Sequence, residues 1–263
     1  MEFDSFIRVI AFLGVFVLMA SWETMAPRRR MSSVRWKRWV ANLSVTVLNT
    51  AVIRIVLASG AVGMAIVAKE QGWGILNMLQ WSTWIEVTLA VVALDLLIYF
   101  QHVTSHAVPA LWKFHMVHHA DPDYDVTTAV RFHPVEAGLS MVLKIVGVAI
   151  IGASPTAVLA FEVILNGMAM VNHANVRIHP SVDNILRWMM VTPDMHRTHH
   201  SIVPLESKSN FGFNLPWWDR MFGTYLEHPS QGHERMILGL KHFRSPACLT
   251  LHNILKLPFR RAV

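Results

Sequence analysis

Residues 102–119 read HVTSHAVPALWKFHMVHH and follow directly on an apolar segment, Glu86–Phe100. If the chain on either side is helical, His102 and His106 lie one turn apart, and the histidines of HMVHH also share one helix face. The stretch therefore predicts a cluster of imidazoles at the end of an apolar helix. Its five histidines are His102, His106, His115, His118 and His119.

A later stretch repeats this spacing. His196, His199 and His200 have the same HxxHH order as residues 115–119, and eleven of the chain's fifteen histidines lie between His102 and His200. A single histidine on an apolar face is usually a hydrogen-bonded core residue. Two copies of one three-histidine spacing, together with an HxxxH pair, favour metal binding instead.

The number of nitrogens indicates how many metal ions would be bound. One zinc ion takes three or four protein ligands, whereas these three histidine boxes supply eight nitrogens, and His133 and His173 would raise the number to ten. Such a set suits two metal ions with open positions. Imidazole favours iron, manganese, zinc or copper over calcium or magnesium, and the spacing does not choose among the first four.

The composition predicts an all-α, polytopic membrane protein. Of the 263 residues, 53% are hydrophobic and only 15% are charged, against about 25% in soluble domains, and the mean hydropathy is +0.38. The lone cysteine, Cys248, excludes an intramolecular disulfide framework and a thiolate-rich metal site.

The net charge of +6 does not require a nucleic-acid partner, because six basic residues lie together between two apolar runs. This arrangement is typical of a cytoplasmic loop under the positive-inside rule. The six are Arg28, Arg29, Arg30, Arg35, Lys37 and Arg38.

Five apolar runs define the expected architecture. Three are long enough to cross a bilayer, and two shorter ones are expected to form a helical hairpin. The first is expected to be a retained helix and not a cleaved signal, because the basic cluster follows it. The three full spans are Phe3–Trp22, Val40–Ala68 and Trp84–Phe100, and the hairpin comprises Val135–Ile151 and Pro155–Val171.

We expect one membrane-embedded domain. Residues 1–84 form its N-terminal helices, residues 85–226 its histidine-box region and residues 227–263 a C-terminal cytoplasmic tail. Counting crossings from the basic loop places residues 102–133 and 173–200 in a histidine-rich cap on the cytoplasmic face. The short loops favour a bacterial inner membrane.

Two charged residues fall within predicted spans, where ionisable groups are costly and often functional. Arg54 is expected to face a partner helix or to extend towards the interface, and Asp95 is either a functional acid or the partner of Arg54. The connector Lys69–Thr83 is rich in tryptophan and glycine, as interfacial segments are.

Six motifs resemble those of the sterol desaturase and fatty acid hydroxylase superfamily of integral-membrane, non-haem di-iron oxygenases. They occur in the family's order over residues 85–226. The motifs are HVTSH at 102–106, HMVHH at 115–119, FHPVE at 132–136, NHAN at 172–175, TPDMHRTHH at 192–200 and NFGFNLPWWDRMFGTY at 210–225. The resemblance implies that the eight box histidines are metal ligands and that His173 is a ninth.

Other polar residues beside the motifs have open roles. His133 is either a ligand or a hydrogen-bond partner of one. Asn172, Asn175 and Asp194 are candidates to orient imidazole rings, although Asp194 could instead cap a helix. Residues 217–220, WWDR, are expected to order the cap. The histidines outside the motifs are expected to be non-ligands, namely His179 and the surface residues His228, His233, His242 and His252.

The resemblance implies that two iron ions and O2 oxidise an unactivated C–H bond of a lipid, such as an acyl chain or a sterol. Helices 84–100 and 135–171 would form the lipid groove. Hydroxylation is the first hypothesis and desaturation the alternative; a zinc-dependent hydrolase or a structural metal site is a further one, and zinc could replace iron in a purified sample. No dinucleotide, haem or iron–sulfur motif is present in the sequence. Electrons are therefore expected from a ferredoxin, cytochrome or reductase.

Overall fold

A computed structural model describes residues 2–57, 59–79, 81–245 and 249–260; Cys248 lies outside them. Over these residues the chain is almost entirely helical, with two isolated β-bridges and no strand, as the all-α prediction required. The α-helices are α1 Glu2–Met25, α2 Arg35–Val56, α3 Gly60–Gln71, α4 Thr83–Ala107, α5 Pro109–His119, α6 Pro134–Ile151, α7 Pro155–His173, α8 Pro180–Leu186, α9 Pro193–His199, α10 Trp217–Met221, α11 Gly232–Arg235 and α12 Leu251–Lys256.

Five helical segments of the described chain are long and apolar enough to cross a membrane. Their outward faces are apolar as well. On α6 the exposed residues recur every three or four positions, which is the spacing of one helix face. These residues are Val135, Leu139, Val142, Val146 and Ile150. A stripe of this kind suits lipid tails, so the segments support an integral membrane protein. The five segments are Asp4–Met25, Arg35–Met78, Thr83–Ala107, Pro134–Ile151 and Pro155–His173.

The run Val40–Ala68 is not the single continuous helix that its hydropathy predicted. Helix α2 ends at Val56, and α3 begins at Gly60, whose φ of 55° is a backbone conformation that favours glycine. The first part of α2 lies beside a polar loop, where Arg38 is fully buried. The expectation was wrong because apolar content alone does not reveal a break between two apolar helices.

Helix α4 extends beyond the predicted run Trp84–Phe100 and therefore carries His102 and His106 in its last turns. It stops where Val108 adopts an extended conformation before Pro109, as residues that precede proline commonly do. Helix α5 then starts with proline, which lacks an N–H that the first turn does not need. The change of direction brings the two histidine boxes face to face.

Helices α6 and α7 lie close to the bounds expected for the hairpin, but both pack on α3 and α4, and each is by itself long and apolar enough to cross a membrane. Gly152 ends α6 with φ 76°, and the Ser154 side chain accepts a hydrogen bond from Ala157 N at the start of α7. A Cβ on Gly74 would lie 2.2 Å from Gly152 N, so the connector after α3 passes against this turn.

A polar loop, residues 121–131, anchors α2 to the cap. The guanidinium of Arg38 donates to both Asp121 oxygens at 2.8 Å and to Asp125 Oδ2 at 2.7 Å, and all three side chains are buried. Arg28 likewise donates to Asp194 at 3.3 Å. The basic cluster thus has structural partners in addition to its expected role in topology.

Asp95 does not pair with Arg54, which is exposed near the end of α2. Asp95 Oδ2 accepts hydrogen bonds from Trp218 Nε1 at 2.8 Å and from Leu215 N at 3.2 Å. The ion-pair alternative is therefore wrong. The acid instead ties the membrane helix α4 to the WWDR segment.

The next residue of that segment, Asp219, orders the chain before it. Its oxygens accept from Phe211 N and Gly212 N at 2.8 Å and from Thr224 Oγ1 at 2.7 Å. Because it is fully buried, it holds residues 210–213 in one conformation, and these residues contact the histidine cluster.

Replacing Arg38 with methionine is expected to lower the free energy of unfolding by about 3 to 5 kcal/mol, because Asp121 and Asp125 would remain buried without their cation. Chemical unfolding of the detergent-solubilised protein measures the change. Arg30→Met removes the same charge from an exposed position and is the control. Equal stability of the two variants would contradict this role of Arg38.

Candidate metal centre

The structure gathers nine histidines into two groups. Within each group, every residue offers one nitrogen, and these nitrogens all lie within 4.8 Å of one another. The first group is His102, His106, His115, His119 and His199, and the second is His118, His173, His196 and His200. These nine are the candidate ligands that the sequence motifs indicated.

Each group draws on both halves of the sequence. His199 of α9 joins the histidines of α4 and α5, and His118 of α5 joins those of α7 and α9. His119 and His200, which belong to different groups, stack with ring centroids 4.4 Å apart. The two groups therefore form one continuous cluster, to which α4, α5, α7 and α9 all contribute.

Backbone carbonyls fix the orientation of three rings. A carbonyl accepts only, so each of these bonds places the ring proton on Nδ1 and leaves the Nε2 lone pair free to bind a metal. The three contacts, each 2.7 Å, are His102 Nδ1 to Phe211 O, His173 Nδ1 to Ala169 O and His199 Nδ1 to Ser209 O.

Within each group, Nε2 atoms approach one another closely. His119 Nε2 lies 3.1 Å from His106 Nε2 and 3.2 Å from His115 Nε2, and His173 Nε2 lies 3.1 Å from His118 Nε2. Two nitrogens bound to one metal at about 2.1 Å and at right angles would be about 3.0 Å apart. The observed separations therefore fit shared coordination.

Within the cluster, several ring nitrogens are buried without a hydrogen-bond partner among the described residues. Such atoms are costly unless something binds them. They are His102 Nε2, His118 Nδ1, both nitrogens of His196, His199 Nε2 and His200 Nε2. A bound metal ion would satisfy the Nε2 atoms of His102, His199 and His200 and one nitrogen of His196, so the donor set fits the metal site that the sequence predicted.

Burial also keeps the cluster in its ligating form. Removal from water, reinforced by neighbouring imidazoles, lowers the pKa of His118, His119, His196 and His200 well below its usual value and that of His199 to about 3. These rings are therefore neutral at physiological pH, as metal binding requires.

Glu136 is a site residue that the sequence analysis missed. Its Oε1 lies 2.5 Å from His115 Nδ1, an arrangement that fixes the tautomer of a ligand and raises its basicity. The available signal was the position of Glu136 in FHPVE, in the first turn of a helix that starts beside a histidine. Only the fold shows that this turn faces α5.

His133 lies outside both groups. Its Nδ1 accepts a hydrogen bond from Val135 N at 3.1 Å and so caps α6, and its Nε2 lies 3.3 Å from Leu255 O. The structure thus gives this ring a capping role, and within the described chain its nitrogens contact backbone atoms of Val135 and Leu255.

The three candidates for orienting imidazoles have other partners. Asn172 Nδ2 donates to Phe213 O at 3.0 Å. Asn175 exchanges hydrogen bonds with the backbone of Arg29. These asparagines therefore hold backbone segments that surround the cluster.

Asp194 binds two arginines, Arg28 and Arg197, whose charges lower the pKa of its carboxyl group. The cap of α9 is Thr192, whose hydroxyl accepts from Met195 N, so the capping interpretation of Asp194 is also wrong. Asp194 joins the N-terminal basic segment to α9, which carries His196 and His199 and is followed by His200.

Among the remaining histidines, one expectation fails. His233 was expected at the surface, but its side chain is only 8% exposed and lies 3.7 Å from Asp194 Oδ2. It is buried because α11 packs on α9. The side chain of His179 caps α8, and the other three are exposed.

Two cavities lie beside the cluster. The outer cavity, about 350 Å³, is lined mainly by apolar residues of α4, α5 and α6 and has exposed Phe100 and Leu139 among them. The inner cavity, about 230 Å³, is lined by His102 and His115. Helices α2, α4, α6 and α7 surround it, so α2 and α5 contribute walls that the sequence did not predict. Residues common to both cavities are Gln101, Ser105, Glu136 and Ser140.

The capping role that the structure gives to His133 and the ligand role considered from the sequence predict different results for His133→Ala. Loss of a helix cap should lower stability by about 1 kcal/mol and leave the metal content unchanged. His118→Ala, in contrast, should lower the metal content. Elemental analysis and unfolding of both variants test this, and metal loss from His133→Ala would overturn the capping assignment.

Glu136→Leu is expected to weaken metal binding about 10- to 100-fold, because His115 would lose the group that fixes its ring. Competition with a chromogenic chelator measures the affinity. The exposed Glu227 provides a matched control, Glu227→Leu. Equal metal affinity of the two variants would exclude this role of Glu136.

Comparison with known proteins identifies relatives that act on lipids. The ornithine lipid hydroxylase OlsE of Rhizobium tropici is 25% identical over 229 residues, which cover 84% of this chain and 67% of that protein. The alkylglycerol monooxygenases of Xenopus tropicalis and Homo sapiens are 30% and 29% identical over 62% and 61% of this chain. The matched part is 33% of each monooxygenase, so the chain spans about a third of their length.

No solved structure matches the chain. The family model for fatty acid hydroxylase matches residues 87–224, which is slightly more than half of the chain and includes all nine clustered histidines. This region agrees with the one that the motifs delimited, and the resemblance seen in the sequence is confirmed. The chain belongs to the fatty acid hydroxylase family.

Proposed function

We propose that this protein is a membrane-embedded, O2-dependent lipid hydroxylase with two iron ions at the histidine cluster. The single observation that carries the proposal is a cluster of nine histidines, eight of them buried, directly beside a cavity system that meets the membrane face of α6. The relatives' names, ornithine lipid hydroxylase and alkylglycerol monooxygenase, support a lipid substrate and the insertion of oxygen.

The bound metals would supply oxidation of a C–H bond by O2, with one oxygen atom entering the lipid and the other leaving as water. The protein's own residues position the substrate and exclude solvent. His102 and His115 face the inner cavity, and Phe213 closes part of its wall. A lipid carbon held there would be close to the first histidine group and shielded from water.

The apolar outer cavity would admit the lipid. Leu139 is 49% exposed on the lipid-facing stripe of α6 and also lines this cavity. A lipid could therefore pass from the bilayer into the protein without transferring its chain through water, which would cost about 0.8 kcal/mol per CH₂ group.

The centre is proposed to lie on the cytoplasmic side of a bacterial inner membrane. Arg28 binds Asp194 and Arg38 binds Asp121, so the basic segment lies at the same end of the molecule as the histidines. Basic loops remain cytoplasmic under the positive-inside rule.

Hydroxylation by this route consumes two electrons and two protons for each O2. We propose that an external ferredoxin, cytochrome or reductase supplies the electrons, since the sequence has no motif for a redox cofactor of its own. The basic cytoplasmic segment would suit an acidic carrier, because complementary charge accelerates association.

Labelled O2 tests this function. Iron-loaded protein in bilayer nanodiscs, supplied with lipid extract and a reducing system, is expected to yield a lipid that has gained one labelled oxygen atom. His118→Ala and His199→Ala, one from each histidine group, should reduce the product to background. A product that has lost two hydrogens without gaining oxygen would show desaturation, and no oxidised lipid at all would refute the proposal.

A further inference from the structure

Two buried acceptor atoms in the inner cavity have no hydrogen-bond partner among the described residues. They are Asn49 Oδ1 and Glu136 Oε2, and each of these residues is only 8% exposed. Both residues line the cavity that reaches His102 and His115. Buried polar atoms are nearly always paired in folded proteins, so these two indicate a ligand.

In each side chain, the hydrogen bond made by one polar atom shows that the other polar atom is the unpaired one. Asn49 Nδ2 lies 2.9 Å from Phe132 O, and because a carbonyl only accepts, the amide nitrogen must face it and the amide oxygen must face away. Glu136 Oε1 is paired with His115 Nδ1, which leaves Oε2. Both free atoms accept hydrogen bonds, so the matching ligand group must donate them.

These acceptors lie at the level of the metal centre. Asn49 is hydrogen-bonded to Phe132, which directly precedes the N-cap residue of α6, and Glu136 lies in the first turn of α6. Lys144 also lines the inner cavity, but it lies about two turns further along α6 and has Glu162 Oε1 at 3.5 Å. The end of the cavity beside the histidines is therefore rich in acceptors and suits a donor-bearing group.

The outer cavity offers the complementary environment. Its lining includes Leu97, Leu111, Phe114 and Leu143, which suit an apolar chain. The two cavities meet at residues that include Glu136, whose other oxygen contacts His115. A lipid with its chain in the outer cavity and its head in the inner cavity would pass this carboxyl group at the point where head and chain join.

We infer that Asn49 and Glu136 form a subsite for a hydrogen-bond-donating lipid head group, hydroxyl or ammonium, and that the carbon presented for oxidation lies at the junction of head and chain. This inference rests on the proposed function for the reaction, but it makes a separate claim about binding. Lipids with the donor removed, or with the donor far from the chain junction, fit the two cavities less well.

Competition binding tests the subsite without requiring turnover. Tritiated 1-O-hexadecylglycerol bound to the protein in nanodiscs is displaced by two matched pairs of probes at equal mole fraction. One pair is 1-O-hexadecylglycerol and its dimethyl ether, and the other is hexadecylammonium and hexadecyltrimethylammonium. In at least one pair the donor-bearing member is expected to compete about tenfold better, because a lost hydrogen bond leaves a buried acceptor unpaired.

The two pairs distinguish the head groups. A preference only in the glycerol pair identifies a hydroxyl ligand, and one only in the ammonium pair identifies a cation drawn to Glu136. Equal competition within both pairs would overturn the inference.

Asn49→Leu is expected to reduce the donor preference about tenfold, since it removes an acceptor and keeps the side chain's approximate size. The matched control is Asn77→Leu, which makes the same change at an amide bound to Trp73 O and Ala68 O in the connector after α3. Retention of the full preference in Asn49→Leu would contradict the assignment. Asn49→Ala removes the same acceptor with a smaller side chain and should also lose the preference, so it decides the matter if the leucine variant fails to fold.

The position of oxidation provides a second readout. Fragmentation mass spectrometry of the labelled product should place the new oxygen at the carbons next to the head group, whereas oxygen inserted far along the chain would overturn the proposed placement. Donor-selective binding without any oxygen insertion would preserve the subsite and refute the hydroxylase function. Oxygen insertion without donor-selective binding would refute the subsite and preserve the hydroxylase function.

Discussion

The structure depends on nine imidazoles, eight of them buried, that are packed together with ring nitrogens facing one another. Bonds from Nδ1 to backbone carbonyls leave the Nε2 atoms of His102 and His199 with only a lone pair, and these two nitrogens and His200 Nε2 are buried without a hydrogen-bond partner among the described residues. A metal cation would satisfy these nitrogens. The ends of α4, α5, α7 and α9 converge at this point, so metal binding would be coupled to the packing of the cap.

Polar contacts beyond the histidines maintain this arrangement. Tyr124, in the loop anchored by the Arg38 ion pairs, donates its hydroxyl to Asn172 O at 2.7 Å, and its ring stacks on His173 with centroids 5.3 Å apart. On the other side, Asp95 and Asp219 hold the segment whose carbonyls orient His102. Membrane helices that differ little in apolar character are thus fixed in register by a few buried polar residues.

Much of the site could be predicted from the sequence, because HxxxH and HxxHH spacings place imidazoles on one helix face whatever the helices pack against. Which histidine joins which group could not be predicted. His118 belongs to the group whose other members come from α7 and α9, and His199 belongs to the group whose other members come from α4 and α5. This exchange depends on the angle between α5 and α9. The partners of Glu136 and Asp95 could not be predicted either, because tertiary contacts determine which residue a single acidic side chain meets.

The fold was predictable to a similar degree. Hydropathy located the apolar segments because burial in lipid imposes a composition on them, but it did not reveal the break at Gly60, where both flanking helices are apolar. The capping of α6 by His133 was also hidden, because a histidine within a conspicuous motif can serve either the metal or the backbone, and both roles use the same ring nitrogens.

The most direct measurement is anomalous diffraction from crystals of protein produced with iron, with data collected on either side of the iron and zinc absorption edges. The account predicts two metal peaks, one among His102, His106, His115, His119 and His199 and the other among His118, His173, His196 and His200. At the iron edge both peaks should show the iron signal. A single metal peak, or metal bound away from these two groups, would contradict the account.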